Sequence, residues 1–232
     1  MGSKLIFAVP SKGRLMEATT GMLAEGGLEV RKTGSERGYR GEIVDVGDVE
    51  IAFISASEIA NALRIGQVHL GVTGEDLIRE EIADAEKRVK FLKPLGFGHA
   101  DVVVAVPACW IDVRAMEDLD EVAIAFRREH QRRMRGATKY VNLTRRHFSY
   151  YGISDYRIVE SLGATEGTPA AGTAELIVDI TSTGTTIRAN GLKQIGGGTI
   201  LKSEANLIES RMAEWTPELR AVQNDILKRL GI

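Results

Sequence analysis

The sequence predicts an α/β protein built as two lobes. Short apolar, β-branched runs alternate with helical patterns along the whole chain, the alternation restarts near residue 98, and 232 residues suffice for two separate cores. With 44% apolar and 27% charged residues, the composition is that of an ordinary globular protein.

Taken in order, Leu5 to Val9 reads as a buried strand and Arg14 to Glu25 as a helix stopped by Gly26-Gly27. Glu50 to Ile54 is a second strand, after which Ser57 can cap a helix running through Leu63. His69 to Thr73 is a third strand, passing through Gly74 into a short helix from Glu75 to Ile82. Short connections in this β-α-β rhythm argue for a mainly parallel sheet covered by helices on both faces. The pattern begins again at Ala100 to Val106, almost wholly apolar and suited to a central strand. Strands at Met134 to Thr138, Arg157 to Glu160 and Leu176 to Ile180 follow. Helices around Leu143 to Tyr151 and Thr183 to Asn190 lie among them, the second closed by Gly191. A Gly196-Gly197-Gly198 turn precedes a strand near Thr199 to Lys202. The last helix carries Thr216 as N-cap, Pro217 at N1 and Gly231 after its end. Its Leu219, Val222, Ile226, Leu227 and Leu230 form one apolar stripe, suited either to internal packing or to an oligomer interface.

Several function classes are disfavoured at once. A net charge of −2 gives no global basic field for nucleic acid or an anionic membrane, so an anionic substrate needs a local site. Cys109 is alone, and His69, His99, His130 and His147 show no metal-ligand spacing, so no metal site is expected. No signal peptide or membrane span is legible, which makes a cytoplasmic location the expectation. The basic run from Arg127 to Arg135 includes Glu129 and His130; it suits a solvated helix face, with a phosphate- or partner-facing patch as the other reading.

Chemistry concentrates between Glu166 and Gly191. An apolar strand delivers Asp179 to its carboxyl end, where ligands of open α/β sheets bind. The loop Thr181-Ser182-Thr183-Gly184-Thr185-Thr186 follows, with a helix starting inside it. Helix N-terminal amides, hydroxyl donors and a glycine that admits close backbone approach suit a phosphate. A carboxylate would repel bare phosphate but accepts hydrogen bonds from sugar hydroxyls, so the pair describes a ribose 5-phosphate site. An ordinary Ser/Thr-capped turn gives a similar pattern, although six hydroxyl or glycine residues after an acidic one favour a ligand site. A second cationic loop, Ser11-Lys12-Gly13-Arg14, follows the first strand and suits either a polyphosphate or a plain surface turn. His147 and Cys109 read as structural.

The stretches SKGRL after the first strand, GVTGEDL after the third and GATEGTPAAGTAELIVDITSTGTTIRANGL near the end, in this order over nearly the whole chain, resemble the ATP phosphoribosyltransferase family. Salvage-type phosphoribosyltransferases carry two adjacent acidic residues before such a loop, whereas this chain has Val178-Asp179. The resemblance implies a two-lobed α/β fold like that of type II periplasmic binding proteins, with a cleft between the lobes. Lobe one would comprise residues 1–97 and 189–232, and lobe two residues 98–188. Glu166 and Asp179 would contact ribose hydroxyls, and Thr181, Ser182, Thr183, Gly184, Thr185 and Thr186 would hold the 5-phosphate. Lys12, Gly13, Arg14 and Asp76 would face the nucleotide; Asp76 also suits a helix first turn.

The implied reaction is displacement of pyrophosphate from phosphoribosyl pyrophosphate by N1 of ATP, the first step of histidine biosynthesis, with Mg2+ bridging the phosphates. The resemblance is to the short form of the catalytic subunit. That form works as a homodimer within a hetero-oligomer that includes a regulatory subunit similar to histidyl-tRNA synthetase. One departure stands out: Ser55 and Ser57 occupy positions after the second strand where the family carries basic residues. Arg31, Lys32, Arg37 and Arg40, on an apparently flexible loop, are candidates to replace that charge, or are simply solvated. The competing reading is a non-enzymatic two-lobed binding protein for a phosphorylated metabolite.

Overall fold

Continuous apolar strands such as Leu5–Pro10 (β1) and Leu70–Gly74 (β5) can only be satisfied when covered on both faces, and that requirement organises the structure. The computed structural model describes residues 4–33 and 39–232, so Met1-Gly2-Ser3, Gly34, Arg37 and Gly38 lie outside the described residues. The chain divides into two compact units, one of Met1–Gly98 with Glu204–Ile232 and one of His99–Ser203.

The first unit holds a seven-stranded sheet in the order β2-β3-β4-β1-β5-β12-β6. Beyond β1 and β5 its strands are β2 (Val30–Lys32), β3 (Arg40–Ile43), β4 (Val46–Ile54), β6 (Val89–Pro94) and β12 (Ala205–Ser210). Helices α1 (Gly13–Glu25) and α8 (Pro217–Arg229) cover one face, packing Leu23, Leu219 and Ile226 against Leu5, Phe7 and Val9. Helices α2 (Ala56–Ile65), α3 (Glu75–Glu81) and α4 (Ala85–Arg88) cover the other, around Ala8, Ile59, Leu63 and Ile78. The apolar stripe of α8 therefore packs internally, with Leu219 and Ile226 buried and Val222, Leu227 and Leu230 half-buried against the same cluster. Thr216 caps the helix by accepting from the Leu219 N–H at 3.3 Å.

The second unit holds a five-stranded sheet, β11-β7-β10-β8-β9. These strands are β7 (Ala100–Pro107), β8 (Met134–Thr138), β9 (Tyr156–Glu160), β10 (Leu176–Thr181) and β11 (Leu192–Ser203). Helices α5 (Met116–His130) and α6 (Val141–Tyr150) pack on one face. The short α7 (Thr185–Ala189) packs on the other, where Ile187 meets the small side chains Ala105, Ala137 and Ala174.

Four sequence expectations are corrected. The sheets are mixed rather than mainly parallel, with four parallel and six antiparallel strand pairs. The cause in the first unit is that the returning strand β12 inserts antiparallel between β5 and β6, while β2, β3 and β4 form a meander. The chain re-enters the first unit at Glu204 instead of near residue 189, because β11 stays paired with β7 as far as Ser203. The triglycine is no turn but a bulged part of β11, where the register shifts between Gln194 and Thr199. His147 packs over it, with Nε2 and the Gly197 carbonyl 2.9 Å apart. Finally, Ser55 and not Ser57 caps α2. Its hydroxyl accepts from the Glu58 N–H (3.3 Å) while the Glu58 carboxylate accepts from the Ser55 N–H (2.8 Å), a reciprocal box.

The basic run is absorbed by structure. Arg127 and Arg133 pair with Asp155, and Arg132 and Arg135 pair with Glu175. Burial pushes the Glu175 carboxyl up, but hydrogen bonds from Arg135 and Arg132 and from the Arg135 N–H outweigh it and hold the group down at about 2. A depressed carboxyl contributes stability that is full above its unfolded value of 4.5 and is lost as pH falls through the folded value. Thermal melts of Glu175→Gln should therefore lie below wild type at pH 7, with the gap closing between roughly pH 5 and pH 2. A gap that stays constant over that range would remove the ion pairs from the explanation.

Candidate functional site

The carboxyl ends of the parallel strands gather the residues singled out from sequence. In the second unit β8 and β10 run parallel, with Ala137 beside Ile177 and Thr138 beside Val178. Asp179 and Thr181 lie at the end of β10, half-buried. Glu166 sits in a single 3-10 turn, Thr165–Gly167, anchored by the buried Thr165. Burial raises the Asp179 carboxyl above its ordinary range. The Ile180 N–H, 2.8 Å from Oδ1, and Lys139 pull it down, while Glu166 pushes it up. Glu166 and Asp179 are thus close enough to sense one another. Lys139, in the bend that follows β8, is exposed and lies with its ammonium 5.0 Å over the Tyr140 ring.

The hydroxyl loop is held by its own residues. Thr181 Oγ1 accepts from the Gly184 N–H (2.9 Å), the hydroxyls of Thr183 and Thr185 lie 2.8 Å apart, and Ser182 Oγ donates to the His99 carbonyl (3.0 Å). Gly184 has φ of 70°, a left-handed conformation that glycine adopts without the Cβ clash other residues suffer. The helix does not start at Thr183. Gly184 is the N-cap of α7, which spans five residues, so its dipole is small and an anion here would depend mainly on the loop's own hydroxyls and amides. Arg188 folds back over the loop, donating to the Thr183 carbonyl at 3.0 Å. It stands inside the motif quoted above, and its cationic side chain is a functional candidate that the sequence reading passed over. Thr183, Thr185 and Thr186 are exposed to incoming ligand.

In the first unit β4, β1 and β5 are adjacent and parallel, so Ser55, the Ser11–Arg14 loop and Asp76 come together beyond their carboxyl ends. Lys12 and Arg14 are exposed at the start of α1, which has no acidic residue in its first turn. Among the described residues neither forms an ion pair, which leaves both free for an anion. Asp76 is buried in the first turn of α3. The proposed substitutes for the missing basic residues are engaged elsewhere. Arg31 pairs with Glu42, Arg40 with Glu50, and Lys32 lies over the Phe53 ring. They sit on strands β2 and β3 instead of a loop. A cavity of about 590 Å3 among Lys4, Ile6, Glu50, Gly66, His69 and Met212 opens at the amino ends of β1 and β5, the wrong end of the sheet for these groups.

The two sheet-and-helix units give an α/β protein of the type II binding-protein fold, and the carboxylate-plus-hydroxyl loop is its candidate sugar-phosphate site. Solved structures with that fold include the ATP phosphoribosyl transferase (HisG:HisZ) complex from Thermotoga maritima, with a TM-score of 0.74 at 24% identity over 98% of this chain and 96% of that one. An amino-acid transporter's substrate-binding protein also matches, with a TM-score of 0.54 at 12% identity over 99% and 93%. The family model for HisG, ATP phosphoribosyltransferase, matches residues 55–231. The ATP phosphoribosyltransferase of Bradyrhizobium diazoefficiens is 59% identical over 231 residues, which cover 100% of this chain and 71% of the relative. That of a Bradyrhizobium species is 60% identical over 230 residues, covering 99% and 71%. The chain belongs to the ATP phosphoribosyltransferase family.

Proposed function

We infer that this chain transfers the 5-phosphoribosyl group from phosphoribosyl pyrophosphate to N1 of ATP, releasing pyrophosphate, at the first step of histidine biosynthesis. The observation that carries the reading is the pairing of Asp179 and Glu166 with the hydroxyl loop 181–186 in a chain of this family. The adenine N1 lone pair attacks the anomeric carbon, and the electron pair of the breaking C–O bond leaves on pyrophosphate. N1 needs no activation, so the residues have only to orient and to answer charge. Asp179 and Glu166 accept hydrogen bonds from the ribose hydroxyls, and the amides and hydroxyls of Thr181 to Thr186 hold the 5-phosphate. Lys12 and Arg14 offset the ATP phosphates, with Gly13 giving the backbone close approach and Asp76 on the nucleotide side.

Among the described residues no group of three or more His, Cys, Asp or Glu could cage a metal. Two carboxylates suit an ion that arrives on the substrate phosphates, as Mg2+ does. Bound with Glu166 and Asp179 nearby, Mg2+ would neutralise charge on the departing pyrophosphate. The Thermotoga maritima complex supports extending a regulatory, histidyl-tRNA synthetase-like partner to this chain, which would work as a homodimer within that hetero-oligomer. Among the described residues no helix is long and apolar enough to cross a membrane, and the reaction is assigned to the cytoplasm, where ATP is abundant.

The test is to mix the purified chain with ATP, phosphoribosyl pyrophosphate and Mg2+, following pyrophosphate release and N1-phosphoribosyl-ATP absorbance. Both signals should rise together. Silence that persists when the regulatory partner is added would turn the assignment to a metabolite-binding protein, a reading that the transporter-protein likeness supports at the level of fold alone.

A further inference from the structure

We propose that Arg188 is a positioning residue of the hydroxyl loop, pinning the Thr183–Gly184 peptide so that the loop meets the 5-phosphate already shaped. The inference rests on the phosphoribosyl reading above and adds a residue to it. A side chain on a helix leans towards the amino end and covers the turn before its own position. Arg188 is on α7, and its backbone N–H donates to the Gly184 carbonyl at 3.0 Å, so its side chain overlies the residues that open the helix. There the guanidinium donates to the Thr183 carbonyl at 3.0 Å, and Nη1 lies 2.8 Å from where a Cβ on Gly184 would stand. Gly184 is buried beneath it, while Arg188 itself is exposed. Among the described residues Arg188 forms no ion pair, so no carboxylate draws it off the loop.

The peptide between Thr183 and Gly184 is thereby held at both ends. Its carbonyl accepts from Arg188, and its N–H donates to Thr181 Oγ1 at 2.9 Å. A peptide unit is planar and trans, so its carbonyl and N–H point in opposite directions, and fixing one fixes the other. Gly184, with φ of 70°, has the backbone freedom that would let an unpinned unit turn over. Turned over, the unit would bring its carbonyl oxygen to the side now taken by the N–H, where its partial negative charge repels a phosphate. A bond from a charged donor is among the stronger hydrogen bonds, and a loop already ordered loses less entropy when its ligand arrives. Lysine is long enough to reach the same carbonyl, although it brings a single ammonium without the planar fork.

The experiment compares Arg188→Met, Arg188→Lys and the control Arg128→Met. The control removes the same charge from an exposed position on α5, against the opposite face of the sheet. Amide hydrogen exchange at Gly184 needs no turnover and reads the peptide directly. In Arg188→Met this amide should exchange about tenfold faster while the amides of β10 keep their protection, which shows the fold retained. Affinity for ribose 5-phosphate should fall about tenfold. The KM for phosphoribosyl pyrophosphate should rise by about the same factor, with kcat and the KM for ATP nearly kept, the pattern of lost ground-state binding. Arg188→Lys should recover most of the protection and the affinity, and Arg128→Met should change neither. Unchanged Gly184 exchange in Arg188→Met overturns the proposal even when affinity falls, because the charge would then act on the anion directly. So does faster exchange with unchanged affinity, or an equal loss from Arg128→Met. A wild-type chain that makes no product overturns the phosphoribosyl reading, and with it the role assigned under it, whatever the exchange shows.

Discussion

Asp179→Asn should lower kcat/KM for phosphoribosyl pyrophosphate by about 100-fold, the effect of trading hydrogen bonds to a charged acceptor for bonds to a neutral one. Asparagine keeps the shape and one acceptor oxygen, so the backbone bond from Ile180 can persist. In the proposed ribose contact it would lose the charge that strengthens the grip on the sugar hydroxyls as the anomeric carbon becomes electron-poor. Stability should move the opposite way or not at all. The Asp179 carboxyl is raised by burial, so the native state carries a cost for ionising it, and the amide removes that cost. The pH profile adds a third signature. The wild-type acid limb should lie above the ordinary carboxylate range and disappear in Asp179→Asn. Steady-state kinetics across pH with parallel thermal melts check all three, and a loss of less than about threefold would take Asp179 out of the ribose site.

The largest stability effect is expected in the first unit, at Gly66. This residue ends α2 with φ of 77°, and a Cβ there would lie 2.4 Å from the Met212 carbonyl oxygen and 2.9 Å from the Ala213 nitrogen. Both obstacles are backbone, so no side-chain rotation relieves them. The segment 212–213, which leads from β12 into α8, has to shift. Left-handed strain of about 1–2 kcal/mol adds to the clash, and Gly66→Ala should destabilise by about 2–4 kcal/mol. At this chain length that lowers the melting midpoint by roughly 5–10 °C. Gly163→Ala is the matching control, because no atom lies within 4 Å of a Cβ there and its φ is ordinary. Equal melts for the two variants would show that the 212–213 segment yields freely.

Legibility in the sequence followed physical cause. β1, β5, β7 and β10 were readable because strands buried on both faces are continuously apolar. β12 is just as buried yet was missed, since Asn206, Glu209 and Ser210 interrupt its apolar run. Asn206 donates to the nearby Glu204 carbonyl, and Glu209 and Ser210 are tolerated because partners outside the strand satisfy them. Gln223 and Arg220 of α8 donate to the Glu209 carboxylate, and Ser210 Oγ donates to the Leu63 carbonyl. The charged strands β2 and β3 resembled a loop because their Arg and Glu side chains pair across the hairpin instead of alternating with apolar residues. At the site the contiguous loop and its preceding acid were legible as a motif. The fold-back of Arg188 onto the Thr183 carbonyl was not, because it depends on the conformation of the loop and not on residue type.

The re-entry of the chain at Glu204 also sets an order of events on the ribosome. The second unit is one uninterrupted stretch, His99–Ser203, whereas the first needs segments from both ends of the chain. Synthesis from the amino end therefore supplies every strand of the later-numbered unit before the first can close. Until Ala205–Ser210 emerges, β5 and β6 each present a row of unpaired backbone groups towards the gap that β12 will fill. A nascent chain from which Ser203 has emerged but Ala205–Ser210 has not would hold a finished second sheet while the first keeps an open seam. That seam is where a chaperone would be most needed and where mispairing with another chain would begin.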